Sequence, residues 1–186
     1  MRCDVKRAAK DSQRGAVAIE FAVLFGVFFV VVYAIIAYSI PMLLMLTFKQ
    51  VSADAARATL QVDPGNAAYT QLLSREITRV VERSWLPDSW LGGNCPPPEQ
   101  DAAGFSWTSL PGQNGHPSYG NIALDARDPD APRYVLHVCL QRLYNREGAS
   151  DQRAIVPTLR LLGISIPSLP EEGGNVVIRG ATTVTL

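Results

Sequence analysis

Polar and apolar positions are sharply segregated along this chain. A short polar head, residues 1–15, precedes a run from Ala16 to Leu46 in which Glu20 is the only charged side chain among 31 residues. As an α-helix that run would extend roughly 46 Å, more than the roughly 30 Å of a bilayer's hydrocarbon core. The pattern therefore predicts a membrane span, with Pro41 placed late enough to kink the helix near its exit. A secretory signal peptide is the competing reading, because Ala53-Asp54-Ala55 forms an A-x-A pattern. Its apolar core would be only about 7–15 residues, half of what is found. A retained span fits better.

Past the run, Phe48, Val51, Ala55, Ala58 and Val62 recur at helical spacing and predict an amphipathic continuation of the first helix. That face could lie on the chain's own domain or form a heptad seam with a partner; two heptads favour the former. Asp63-Pro64-Gly65 predicts the turn that ends it. A second helix is expected from a cap at Asn66 to about Trp85, with Tyr69, Leu73, Ile77 and Val80/Val81 on one face. Residues 86–120 hold six Gly and six Pro and read mostly as loop. Residues 133–144 alternate as a half-buried strand, with Val135, His137, Cys139 and Gln141 opposite Leu136, Val138 and Leu140. Residues 157–163 read as a short helix or turn, and the β-branched stretch 175–186 as a final strand. The expected class is α+β: a long N-terminal transmembrane helix continuing into a small extracytoplasmic domain of helices and a short antiparallel sheet.

Charge orients this arrangement. Of the 17 basic side chains, five lie in residues 1–15 against two acidic ones, and the other twelve lie in residues 47–186 against fourteen. A cationic head belongs on the cytoplasmic side, which puts the body outside. The body carries no basic stripe, so nothing points to nucleic acid. Of three cysteines, Cys3 lies in the head, and no apolar segment precedes it as a lipoprotein site would require. Cys95 and Cys139 in the body suit one disulfide in an oxidising compartment, or two separate buried thiols.

Glu20 needs an explanation, since a carboxylate facing lipid costs about 2.5–3.5 kcal/mol at the bilayer centre and less near an edge. If the chain were cut after Gly15, Ala16 would carry a free amine four residues from Glu20, the spacing of two groups on one helix face. Amine and carboxylate could then neutralise each other within one chain or between neighbours, fixing the register of parallel helices.

The string Arg14-Gly15, Ala16-Val17-Ala18-Ile19, Glu20-Phe21 resembles a type IV prepilin junction. With the helix following directly and Ala55-Ala56-Arg57 beyond it, residues 14 to about 60 look like the TadE-like branch of the tight-adherence (Flp pilus) system. One departure is visible: such segments often carry a proline six residues after the glutamate, where this chain has Gly26. The resemblance implies a basic leader, residues 1–15, removed by a prepilin peptidase between Gly15 and Ala16. It implies an assembly helix, residues 16–46, with Glu20 and Phe21 serving assembly or processing, and a periplasmic pilin-like domain, residues 47–186. Its partners would be the peptidase, other pilin and minor pilin subunits, and the inner membrane. The implied role is a minor pilin needed to assemble a pilus for adhesion and biofilm formation, not an enzyme, and without cofactors.

Other chemistry is weakly represented. His116 and His137 have no Cys, Asp or Glu at metal-ligand spacing. Asp125, Asp128 and Asp130 lack EF-hand order and sit among prolines, which favours an acidic turn. Gly92-Gly93 and Gly173-Gly174 read as turns. Trp85, Trp90 and Trp107 read as a small core in preference to an exposed aromatic patch. Two further classes stay open: an unprocessed, membrane-anchored periplasmic binding module, and a tethered hydrolase for which no nucleophile can be named.

Overall fold

The computed structural model describes residues 8–92, 95–98, 105–128, 132–144, 159–161, 164–166, 169–172 and 175–186. Its dominant element is α1, Ala8–Thr59, 52 residues and about 78 Å long. Hydroxyls in its middle satisfy themselves on the preceding turn: Ser39 Oγ donates to the Ile36 carbonyl and Thr47 Oγ1 to that of Leu43, each at 2.9 Å. Pro41 lies inside the helix, which continues past it.

Helix α1 stops at Thr59, ahead of the expected Asp63-Pro64-Gly65 turn. Buried Thr59 turns its hydroxyl back to the Ala56 carbonyl at 2.7 Å. The amides of Leu60, Gln61 and Val62 bond three residues back, tightening the end. The second helix, α2, is Tyr69–Arg83, shorter than the Asn66–Trp85 expectation at both ends. Asn66 spends its side-chain oxygen on the Ala68 amide (2.9 Å), closing a turn just before the helix. Ser84 is extended and its amide bonds Val81, so Trp85 lies outside. Tyr69, Leu73, Ile77 and Val81 are buried on one face as the periodicity demands, with Ser74 and Thr78 beside them.

Seven strands follow among the described residues, where the sequence predicts two. They are β1 (Thr108–Ser109), β2 (Gly120–Asp125), β3 (Arg133–Tyr144), β4 (Leu159–Leu161), β5 (Ile164–Ile166), β6 (Glu171–Glu172) and β7 (Asn175–Thr185). Five form one antiparallel sheet in the order β1-β2-β3-β7-β6, while β4 and β5 pair with each other. The segment read as a short helix or turn is thus partly the strand β4. The ten-pair β3–β7 ladder, Val135↔Thr185 to Tyr144↔Val176, is the sheet's spine.

Helix α1 lies across this spine and packs on α2, β3 and β7. The core joins Leu44, Phe48, Val51 and Ala55 of α1 to Leu73 and Ile77 of α2, Leu136, Val138 and Leu140 of β3, and Val176 and Ile178 of β7. The predicted amphipathic face therefore serves the chain's own domain. The closest approach falls at Gly180 of β7, where an added Cβ would stand 2.6 Å from both the carbonyl carbon and the Cβ of Phe48. One register step on, Ser52 Oγ meets Thr182 Oγ1 at 3.1 Å. Only a glycine lets helix backbone and strand come this near.

Gly180→Ala is expected to cost at least about 3 kcal/mol through overpacking against backbone that cannot move aside. Gly26→Ala, in mid-helix where nothing lies within 4 Å, is expected to cost nothing and to add up to about 1 kcal/mol of helix stability. Thermal melts of the detergent-solubilised full chain compare the two; equal melting temperatures would contradict the account.

Candidate functional site: the uncovered helix and the pinned sheet face

Two surfaces carry the residues singled out by the sequence. The first is the N-terminal part of α1. Residues 15–29 are exposed on every face, residues 30–36 are exposed or half-buried, and Ala37 is the first fully buried position, at 0%. Pro41, Leu44 and Phe48 are buried further along. The last ten residues of the apolar run thus belong partly to the domain. The 22 positions from Gly15 to Ile36 would extend about 33 Å, close to a hydrocarbon core. This one helix is long and apolar enough to cross a membrane and is a candidate anchor.

Gly15, Ala16, Glu20 and Phe21 all stand on this uncovered stretch. Phe21 stacks on Phe25 one turn later, ring centroids 6.1 Å apart. A Cβ at Gly15 would meet nothing within 4 Å. Glycine costs a helix about 0.8–1 kcal/mol relative to alanine, and no close contact here requires it. Neither Gly15 nor Glu20 is packed against the chain's own fold.

The second surface is the face of the sheet turned away from α1. Cys95 and Cys139 are joined in a disulfide, Cα atoms 6.0 Å apart, and both are buried. Around it Leu91 and Gly92 on one side, and Phe105 and Trp107 on the other, lie by β3. The Gly92 amide bonds the Gln141 carbonyl (3.1 Å), and the Trp107 ring meets His137 edge-on at 6.0 Å. As a result β3 is buried on both faces: Val135, Cys139 and Gln141 are as hidden as Leu136, Val138 and Leu140. The half-buried expectation fails because a loop, which no period-2 pattern reveals, is covalently held over the outer face.

Polar side chains on this covered face pair across the strands. Asn121 accepts from Ser109 Oγ (2.9 Å), His137 Nδ1 meets Thr183 Oγ1 (2.9 Å), and Arg179 donates from Nε and Nη2 to Gln141 Oε1 (3.2 and 3.0 Å). Burial first, and then the Arg179 guanidinium, push His137 below its ordinary pKa. His116 belongs to another group, with Nε2 3.6 Å from Glu82 Oε1 and Nδ1 3.2 Å from the Tyr119 hydroxyl. Burial, and then Asp88 and Glu82, push Tyr119 up to about 12. The fold thus brings a carboxylate to His116 that linear spacing hides, but no third metal-type ligand joins them among the described residues. Asp125 accepts from the Arg127 amide (3.1 Å) and faces its guanidinium (3.4 Å), as in an ordinary turn. Asp130, Gly93, Gly173, Gly174 and Cys3 lie outside the described residues.

The tryptophans do not share a core, against expectation. Trp85 is 62% exposed, Trp90 packs on the main core beneath Arg142, and Trp107 lies by His137. Sequence reasoning also missed β2 and the tight turn before it. Asn114 (φ 53°) and Gly115 (φ 81°) close a bridge from Gln113 to His116. The Asn-Gly dipeptide was the available signal, since it is the favoured pair for a turn with two positive φ values.

A single long apolar helix, uncovered at one end and built into an α+β head at the other, defines the class: a protein with a candidate membrane anchor and a small disulfide-pinned domain. Residues 15–57 match the family model for TadE-like protein, and that N-terminal segment is TadE-like. The match ends inside α1, short of α2 and the sheet. No curated protein and no solved structure matches the chain.

Two outcomes follow for the pinned face. Replacing both Cys95 and Cys139 by Ala frees a segment with a sequence separation of 44 and is expected to lower stability by about 2–4 kcal/mol, read by denaturant titration of the full chain in detergent. A His137 held below 6.5 favours its neutral form in the fold, so its contribution is complete above that pH. As pH falls from 6.5 through the lowered folded value, the unfolded chain takes the proton first and stability drops. His137→Gln is expected to flatten this part of the melting-temperature profile between about pH 5 and 7.

Proposed function

We propose that this chain is a minor pilin of the tight-adherence (Flp) pilus system, processed by a prepilin peptidase between Gly15 and Ala16 and anchored in the inner membrane by the helix that follows. The observation that carries this reading is the uncovered stretch of α1 within the TadE-like match, bearing a glycine and a carboxylate that the fold itself does not use. A residue that costs helix stability and packs against nothing is explained by recognition from outside. A peptidase that must bring the Gly15–Ala16 bond into an extended conformation benefits from a glycine there, because it weakens the helix locally and presents no Cβ.

Cutting would leave Ala16 with a free amine about 6 Å along the axis from Glu20. That charge can balance the carboxylate, in the same helix or in a neighbour's, and the N-terminal end of a helix also favours a negative group. Parallel helices would pack with their registers set by this pair, and the head, residues 47–186, would be carried on the periplasmic side. The cationic leader fits a cytoplasmic start.

The test is the mass of the protein extracted from membranes of cells with an active prepilin peptidase. A chain beginning at Ala16 is expected, and Gly15→Trp is expected to leave the leader attached. Glu20→Ala should abolish piliation while the head still folds. A wild-type chain still beginning at Met1 would overturn the reading in favour of an unprocessed anchored binding module.

A further inference from the structure

Beyond the assembly role, and resting on the proposal that α1 spans a membrane, we infer that the cleft between α1 and the end of α2 is a seat for a phospholipid of the leaflet beneath the head. The cleft, about 190 Å³, is lined by Ser39, Ile40, Leu43 and Leu44 of α1 together with Trp85 and Trp90. Trp85 also lines the next cleft along, about 470 Å³, which it shares with Thr47, Asp54 and Arg83. The two therefore adjoin through one indole, and the upper one adds polar residues to a lining that also holds Val51 and Val80.

Their height along the helix is the first argument. From Glu20 to Ile40 the axis advances about 30 Å, one hydrocarbon thickness. With the carboxylate at one boundary, the Trp85 level falls at the other. The interfacial zone on each side is about 5–7 Å deep, enough to hold the Ser39–Leu44 level and the indole above it. Tryptophan is the residue most at home there, with an apolar ring and one N–H for the wet side.

Exposure and charge supply the rest. Trp85 stands 62% exposed, touching Trp90 edge-on with centroids 6.4 Å apart, although nearby Leu86 and Leu91 are buried. The cleft continues the uncovered apolar surface of α1 through Ile36, Ile40 and Leu43, all exposed. An acyl chain following that surface would reach the indoles without crossing polar ground. Above them, Asp54 is paired with Arg57 at 3.2 Å, and Arg83 is the basic residue that lines the upper cleft. A phosphodiester is the complementary group, held by charge-assisted hydrogen bonds. Acyl chain on Ile36 and Ile40, glycerol at Leu43 and Trp85, and phosphate toward Arg83 is the order in which the lipid would lie.

Fluorescence quenching tests this with the full chain in vesicles of phosphatidylethanolamine and phosphatidylglycerol carrying bromines near the headgroup or deep in the acyl chain. In the variant with Trp90→Phe and Trp107→Phe, Trp85 is expected to be quenched by the shallow bromines and not by the deep ones. Arg83→Glu is expected to remove much of that quenching. Should the double variant fold poorly, the difference between wild type and Trp85→Phe reads the same quantity, since the exposed indole supports no core. Phe28→Trp, with all three native tryptophans replaced by Phe, reports on the span itself and should respond to deep bromines. Deep quenching in that variant with an unquenched Trp85 would overturn the lipid seat alone, and a photo-crosslink from position 85 to a second copy would assign the cleft to a neighbouring subunit. No deep quenching in that variant would instead overturn the membrane reading, and the lipid seat with it.

Discussion

The head exists because α1 can lie directly on β7. At Gly180 the missing side chain lets the strand rest against the Phe48 backbone, and every other packing relation follows from that closeness. Phe48 becomes fully buried, Ser52 reaches Thr182, and Leu136, Val138 and Leu140 close the floor beneath the helix. A larger residue would lift the helix off the sheet and open a gap along its length, and a gap too small for water forfeits contacts on both sides. Because the same helix runs on as the uncovered apolar stretch, this contact also sets how the candidate anchor meets the domain.

The opposite face of the sheet is closed by a different device. A small domain has a poor ratio of volume to surface, and a loop rich in glycine and proline buries little on its own. Joining Cys95 to Cys139 removes much of the entropy that loop would otherwise keep, and its indole and backbone groups then complete the ladder of β3. Polar groups on this face are matched in pairs across strands: half-buried His137 with exposed Thr183, and buried Gln141 with Arg179. Both closures act on β3 and β7, one by close approach and the other by covalent tether.

The uncovered part of α1 has the opposite character. Residues 15–29 are exposed on every face, so their identities answer to surroundings outside the head. That gives Gly15 and Glu20 their weight in the proposed role. Neither is excused by packing: Gly15 directly precedes the bond that the prepilin reading cuts, and Glu20 lies four residues beyond the Ala16 amine that cutting would free. Gly180 and Gly15 make the contrast plain, since substitution meets backbone at one and empty space at the other.

Sequence alone determined what depends on near neighbours along the chain. The 31-residue apolar run, the 3.6-residue period of α2 and the β-branched C-terminal strand were all legible, because burial on one face leaves a periodic trace. The TadE-like resemblance of residues 15–57 was likewise readable, because it rests on a linear pattern. The ends of both helices were misplaced, since a buried Thr59 hydroxyl and an Asn66 turn decided them locally. Tertiary structure decided what depends on distant residues meeting. It hid β3 on both faces, gave His116 a carboxylate from α2, placed Trp85 beside Ile40, and divided the apolar run between the head and the uncovered helix. No pattern in the run marks Ala37 as the first buried position, because burial is a property of what arrives from elsewhere in the chain.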